Sequence, residues 1–248
     1  MRQPPHDPAR RVVVFPHSGA GPNTLLPLVE QLPAEYEVLG VTLPGRERRF
    51  AESPEVAPSD LVAAVGRELT ALKPCPTLFF GHSLGASIAV AVALAEPATC
   101  SALLVSAQLP GGSQIERSAE WDDADLLRVM EQGDGTPAEL LADPVWLEHT
   151  LQLLRADLQL GGALGKLSLQ ALPAVPLTVL GGSQDRLVPA ERLAEWSARA
   201  SVDVRVKLFP GGHFYLLDQA NIAAVAAEIA APLECGDALP GAPRSAAF

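Results

Sequence analysis

Five residues, Gly81-His82-Ser83-Leu84-Gly85, follow the apolar run Thr77-Leu78-Phe79-Phe80 and open an alanine-rich stretch that ends at Ala95. The order is strand, sharp turn, helix, with a serine at the apex of the turn. Glycines on both sides of that serine let the chain bend tightly and let another group approach the hydroxyl. A side chain presented this way is exposed yet held by rigid elements before and after it. The helix that follows is apolar nearly all round, which predicts a central helix sandwiched against a sheet, its small residues permitting close approach.

The rest of the chain fits that centre. Apolar runs at 11–15, 36–41, 77–80, 102–106, 177–180 and 204–208 alternate with helical patterns at 25–31, 59–72, 84–95, 190–200 and 214–231. Such alternation predicts an α/β fold, a mainly parallel sheet with right-handed crossovers and helices on both faces. The alternation breaks between about 110 and 173, where helix-like segments at 122–132, 136–142 and 144–160 have no strand among them. A helical insertion between two strands reads as a lid over the strand ends. Glycines at 111, 112, 133, 135, 161 and 162 fit hinges and turn punctuation equally well. The expected organisation is a flexible arm at 1–10, one domain at 11–235 and a flexible Gly/Ala/Pro-rich tail at 236–248.

Composition removes several function classes. The 248 residues suffice for one large domain, and 48% hydrophobic content argues against disorder. A formal charge of −11 disfavours nucleic acid, which needs a basic face. No apolar run is long enough for a transmembrane helix, and the polar, proline-rich start lacks a signal-peptide core. The three cysteines, Cys75, Cys100 and Cys235, lack metal-ligand spacing and fit thiols in a reducing cytoplasm.

A serine hydroxyl is a weak nucleophile until a base removes its proton, so Ser83 calls for a histidine and an orienting acid. On a sheet of this kind the chain order is serine, acid, histidine. Asp185 follows the fifth strand pattern and His213 the sixth, both at strand ends where open α/β sheets place their sites. His17, after the first strand, competes with His213 for the role of base, whereas Asp218 fits a helix start or surface charge. The oxyanion of an acyl-transfer intermediate needs backbone donors. Those expected are the N–H groups of Leu84 and of Ser18, the latter in the glycine-rich loop Phe15-Pro16-His17-Ser18-Gly19-Ala20-Gly21.

Four blocks then resemble one family: Phe15 to Gly21, Leu43-Pro44-Gly45-Arg46-Glu47, Gly81 to Ala86, and Gly211-Gly212-His213-Phe214-Tyr215-Leu216. They are similar to the type II thioesterases that accompany polyketide synthases and nonribosomal peptide synthetases, and Leu154-Arg155-Ala156-Asp157-Leu158 looks like that family's lid helix. The resemblance implies an α/β-hydrolase fold and a serine hydrolase that removes stalled acyl groups from the phosphopantetheine thiol of acyl or peptidyl carrier domains. It implies no bound cofactor and no metal, a cytoplasmic monomer, and no nucleic-acid or membrane partner. Because carrier domains are usually acidic, the basic cluster Arg46, Arg48 and Arg49 is a candidate contact, with His17 a further candidate at the substrate. The competing expectation for Arg46 is a structural tie to a nearby carboxylate. Ser18-Gly19-Ala20 departs from the family's usual alanine and two glycines. Gly161-Gly162-Ala163-Leu164 lacks the acidic and aromatic residues common after the lid helix. A small-molecule carboxylesterase, an acyltransferase and a non-catalytic carrier-binding protein are the rival readings.

Overall fold

The computed structural model describes residues 8–113, 116, 120–133 and 143–234. The expected helix at 136–142, most of the 1–10 arm and the 236–248 tail lie outside these residues. Six strands form one parallel sheet in the order β2-β1-β3-β4-β5-β6. They are β1 (Arg10–Phe15), β2 (Tyr36–Gly40), β3 (Thr77–His82), β4 (Ala102–Ser106), β5 (Leu177–Gly182) and β6 (Val204–Phe209). All neighbouring pairs are parallel, with Val13 opposite Phe79 and Phe79 opposite Leu103 in the centre.

Alternation along each strand divides the core between the two sheet faces. Val13, Phe15 and Phe79 pack with α3 (Leu84–Ala95) on one face. Val12, Val14, Leu78 and Phe80 pack with α1 (Leu26–Val29) and α6 (Ile222–Glu234) on the other. Helix α2 (Pro58–Thr70) flanks α3, and from Leu84 to Ala93 every residue of α3 is buried. Its small side chains are what allow helix, sheet and neighbouring helices to close on it from all sides. Edge strand β6 turns Arg205 and Lys207 toward Glu228 of α6, charged edge positions that disfavour pairing with another sheet.

Three expected helices differ in detail. Residues 190–198 form a 3-10 helix, because Leu193 and Trp196, three apart, are the residues that bury and a three-residue period puts them on one side. The 214–231 pattern is broken: a 3-10 turn at Tyr215–Leu217 precedes α6, and the Asn221 amide ties the gap by donating to the carbonyls of Pro210 and Tyr215. The 25–31 pattern is a 3-10 turn, Pro22–Leu25, running into α1.

The insertion between β4 and β5 carries α4 (Asp123–Gly133) and α5 (Pro144–Gly165). Helix α5 is started by Asp143, whose carboxylate accepts from the Val145 and Trp146 amides, with Pro144 in the first turn. Leu126, Met130, Leu154 and Leu158 bind the two helices to one another. Gly161 and Gly162 are not hinges. Both lie inside α5, where a Cβ at either would overlap Glu116.

Candidate active site

Ser18, Ser83, Asp185 and His213 follow the C-terminal ends of β1, β3, β5 and β6. In a parallel sheet those ends share one edge. The chain leaves β1 toward β2 on one side and continues from β3 on the other, so the crevice between β1 and β3 is the switch point where such sheets bind ligands.

The turn at Ser83 is built by contact and by strain. A Cβ at Gly85 would overlap the Phe15 carbonyl, and one at Gly81 would overlap the backbone of Gly85 and Ala86. Both glycines are therefore required for α3 to fold back over β1 and β3. Ser83 itself sits at φ 54° and ψ −121°, a conformation costly for any residue with a side chain. Its N–H is held by the Ser106 carbonyl at 2.8 Å.

His213 Nδ1 lies 2.8 Å from Asp185 Oδ2, and both side chains are buried. The other Asp185 oxygen accepts from the Leu187 and Val188 amides at 2.8 and 3.0 Å, which fixes the carboxylate and hence the ring. Ser83 and His213 line the same cavity, without a hydrogen bond between Ser83 Oγ and the ring among the described contacts. Catalytic hydrogen bonds are commonly loose before substrate arrives. Among the described residues the N–H groups of Ser18 and Leu84 have no hydrogen-bond partner, leaving both available to an anion.

Two further histidines surround His213. His82 is fully buried behind the turn, its ring 5.1 Å from that of His213. Its Nδ1 bonds Ser106 Oγ, which in turn bonds the Tyr215 hydroxyl. Burial, then repulsion from His213, drives its pKa well below the usual imidazole value. His17 lines the cavity, packs against Phe214, and has its pKa lowered to about 4 by burial. Both rings are thus neutral dipoles beside His213. The His82–Ser106–Tyr215 chain had no signal in the sequence, since its members lie on three separate elements.

The cavity beside Ser83 opens to solvent. Its wall away from Ser83 is apolar, made by Val129 and Met130 of α4 and Leu154 and Leu158 of α5. Glu116 also lines the cavity, an acidic group without a signal in the sequence.

The basic cluster separates into three different situations. Arg46 is buried and forked onto Asp157 of α5, with Nη1–Oδ2 2.8 Å and Nη2–Oδ1 2.7 Å. It also donates to the carbonyls of Pro44 and Ala20. A guanidinium so enclosed cannot reach a docking partner, and the expectation of a carrier contact at Arg46 is corrected to a structural tie. Arg49 is half-buried, pairs with Glu52 and donates to the Thr42 carbonyl. Arg48 is exposed. Asp157 also accepts from the Gly19 amide at 2.7 Å, so one α5 carboxylate holds both Arg46 and the loop that carries Ser18.

Among the described residues no cluster of His, Cys, Asp and Glu is arranged to hold a metal, and no helix is long and apolar enough to cross a membrane. Cys100 is buried, which pushes its thiol up to about 12 and keeps it unreactive.

A thioesterase-domain family model matches residues 10–233. The chain is 31% identical to the "Probable cadicidin biosynthesis thioesterase" of Streptomyces griseus over 94% of its own length. It spans 65% of that relative, just under two thirds. It is 30% identical to thioesterase PikA5 of Streptomyces venezuelae, covering 87% of this chain and 79% of that one. It is 29% identical to the gramicidin S biosynthesis protein GrsT of Aneurinibacillus migulanus, covering 84% and 83%. Among solved structures, the type II thioesterase BorB from the borrelidin biosynthetic cluster superposes with a TM-score of 0.70 at 26% identity, over 94% of both chains. RedJ with a PEG molecule in its active site superposes with a TM-score of 0.78 at 24% identity, over 94% of this chain and 97% of that one, a likeness of fold.

Proposed function

This chain belongs to the thioesterase domain family, and we propose that it hydrolyses acyl groups from the phosphopantetheine thiol of acyl or peptidyl carrier domains, as an editing enzyme of polyketide or nonribosomal peptide synthesis. The reading assigns Ser83 as nucleophile, His213 as general base and Asp185 as the acid that orients it. The observation that supports it most is the His213–Asp185 bond, set beside a strained serine turn at the mouth of an apolar cavity.

Chemistry follows from these positions. His213 takes the Ser83 proton as Oγ attacks the thioester carbonyl, and the resulting imidazolium is stabilised by Asp185. The carbonyl oxygen becomes an anion between the Ser18 and Leu84 amides, each such donor being worth about 3 kcal/mol. The C–S bond breaks, the proton on His213 passes to the departing pantetheine thiol, and the acyl group remains on Ser83. Water deprotonated by His213 then attacks the ester, and the acid leaves as Ser83 regains its proton. The acyl chain lies along the wall made by Met130, Leu154 and Leu158. No resident cofactor is invoked, the phosphopantetheine arriving as part of the substrate, and the site of action is the cytoplasm.

Thiolate is a good leaving group, so carrier recognition has more to contribute than extra barrier lowering. The test is a panel of acylated carrier domains, matched free acyl thioesters and matched oxygen esters. The reading predicts hydrolysis of the carrier-bound thioesters with the highest kcat/KM. Equal rates on esters and thioesters, with no gain from the carrier, would make this a general esterase.

A further inference from the structure

Among the described residues that line the cavity beside Ser83, Glu116 is the one carboxylate, and the reaction assigned above makes no use of it. The carboxyl is buried and lines the cavity wall. Its two oxygens are in unequal positions. Oε2 accepts three bonds, from the Ser113 amide at 2.7 Å, Ser113 Oγ at 2.9 Å and Gln108 Nε2 at 3.0 Å. Oε1 takes only a 3.2 Å bond from the same Gln108 nitrogen. That nitrogen has two hydrogens to share among four acceptors, for it also faces the Ser83 carbonyl and Ser87 Oγ, each at 3.2 Å. Among the described residues, Oε1 is therefore left with acceptor capacity that no protein group fills.

Helix α5 is cut away to admit this carboxyl. A Cβ at Gly161 would overlap Oε1, and one at Gly162 would overlap the Glu116 carbonyl. The pair of glycines thus makes a seat for one polar group in an oily wall. Desolvation pushes the Glu116 carboxyl above the usual range, opposed by its bonds to Ser113 and Gln108 and by the charge of His213. A buried acceptor with unfilled capacity costs free energy unless a ligand supplies the missing donor.

We infer that Glu116 is a specificity residue: the cavity selects acyl groups that carry a hydrogen-bond donor, an amine or a hydroxyl, over plain alkyl chains of equal length. The inference rests on the thioesterase reading and narrows its substrate class.

The experiment uses the N-acetylcysteamine thioesters of butyrate, 3-hydroxybutyrate and 2-aminobutyrate, each rate divided by that substrate's own hydroxide-catalysed rate. The wild-type chain is expected to favour at least one donor-bearing thioester over butyryl by about tenfold in kcat/KM. Glu116→Leu should bring that ratio toward one. Glu116→Gln distinguishes the donors, because an amide oxygen still accepts from a hydroxyl but no longer neutralises an ammonium. The amino preference should then vanish while a hydroxy preference survives. Gly161→Ala, which pushes on Oε1 from the helix side, gives an independent route to the same loss. A purely structural Glu116 would lower all three rates together and leave the ratios unchanged. Absence of a donor preference in the wild type, or ratios unmoved in the variants, overturns the inference while leaving the thioesterase reading standing. If no thioester is hydrolysed, that reading fails and this one falls with it.

Discussion

Arg46 and Asp157, 111 residues apart in the chain, meet in a buried two-pronged ion pair that ties the loop after β2 to helix α5. Asp157 Oδ2 also accepts the Gly19 amide, so the same carboxylate positions the loop after β1. Removing one member leaves the other charged and enclosed, with no solvent to compensate. Asp157→Asn or Arg46→Ala is expected to cost about 3–5 kcal/mol of stability. Arg46→Lys should recover little, because a point charge cannot reproduce the fork. Urea unfolding of the three variants checks this, and an Arg46→Met, Asp157→Leu double variant should be more stable than either single loss.

The strain at Ser83 gives a second expectation. Glycine adopts a positive φ without penalty, so Ser83→Gly should raise stability by about 1 kcal/mol, whereas Ser83→Ala, with its Cβ retained, should not. Both should be inactive. Thermal unfolding of the two variants beside the wild type separates conformational relief from loss of the hydroxyl.

Acid stability follows from His17. Its folded pKa of about 4 lies below the ordinary 6.5, so the unfolded chain binds the proton first. The neutral, buried ring is no burden above pH 6.5. Stability is lost as pH falls from 6.5 to 4, by about 3 kcal/mol if the ring stays buried. His82 acts in the same direction, and Glu116, shifted upward, acts against them. Denaturant titrations at several pH values on wild type and His17→Asn should differ by a curve that rises only within that window.

The proposed carrier contact is left to Arg48, the exposed member of the cluster, with half-buried Arg49 beside it. Arg48→Glu should raise KM several-fold for an acylated carrier and leave the matched free thioester unaffected. A change equal for both substrates would point to local structure instead.

Much of this architecture could be read from the chain, and the reason is periodicity. Buried parallel strands such as Thr77–His82 are continuous apolar runs, and Gly81 and Gly85 mark the turn because no larger residue fits. Local geometry was harder. Leu193 and Trp196 suit an α-helix as well as the observed 3-10 helix, and only their packing chooses. Long-range pairing was harder still. Arg46 suits a docking contact and a tie to a carboxylate equally well until Asp157 comes beside it, and Glu116 stands in a stretch without periodicity. Gly161 and Gly162 look like punctuation in the sequence and prove to be the seat for that carboxyl.

Ser83 is proposed to carry the acyl group, with His213 as its base. The most direct test is to mix the protein with an acylated carrier domain, quench at short times, and map the added mass by peptide mass spectrometry. The predicted result is an acyl adduct on the peptide containing Ser83, absent with Ser83→Ala and weakened with His213→Ala, hydrolysis falling in parallel. An adduct on another residue, or hydrolysis undiminished in Ser83→Ala, would contradict it.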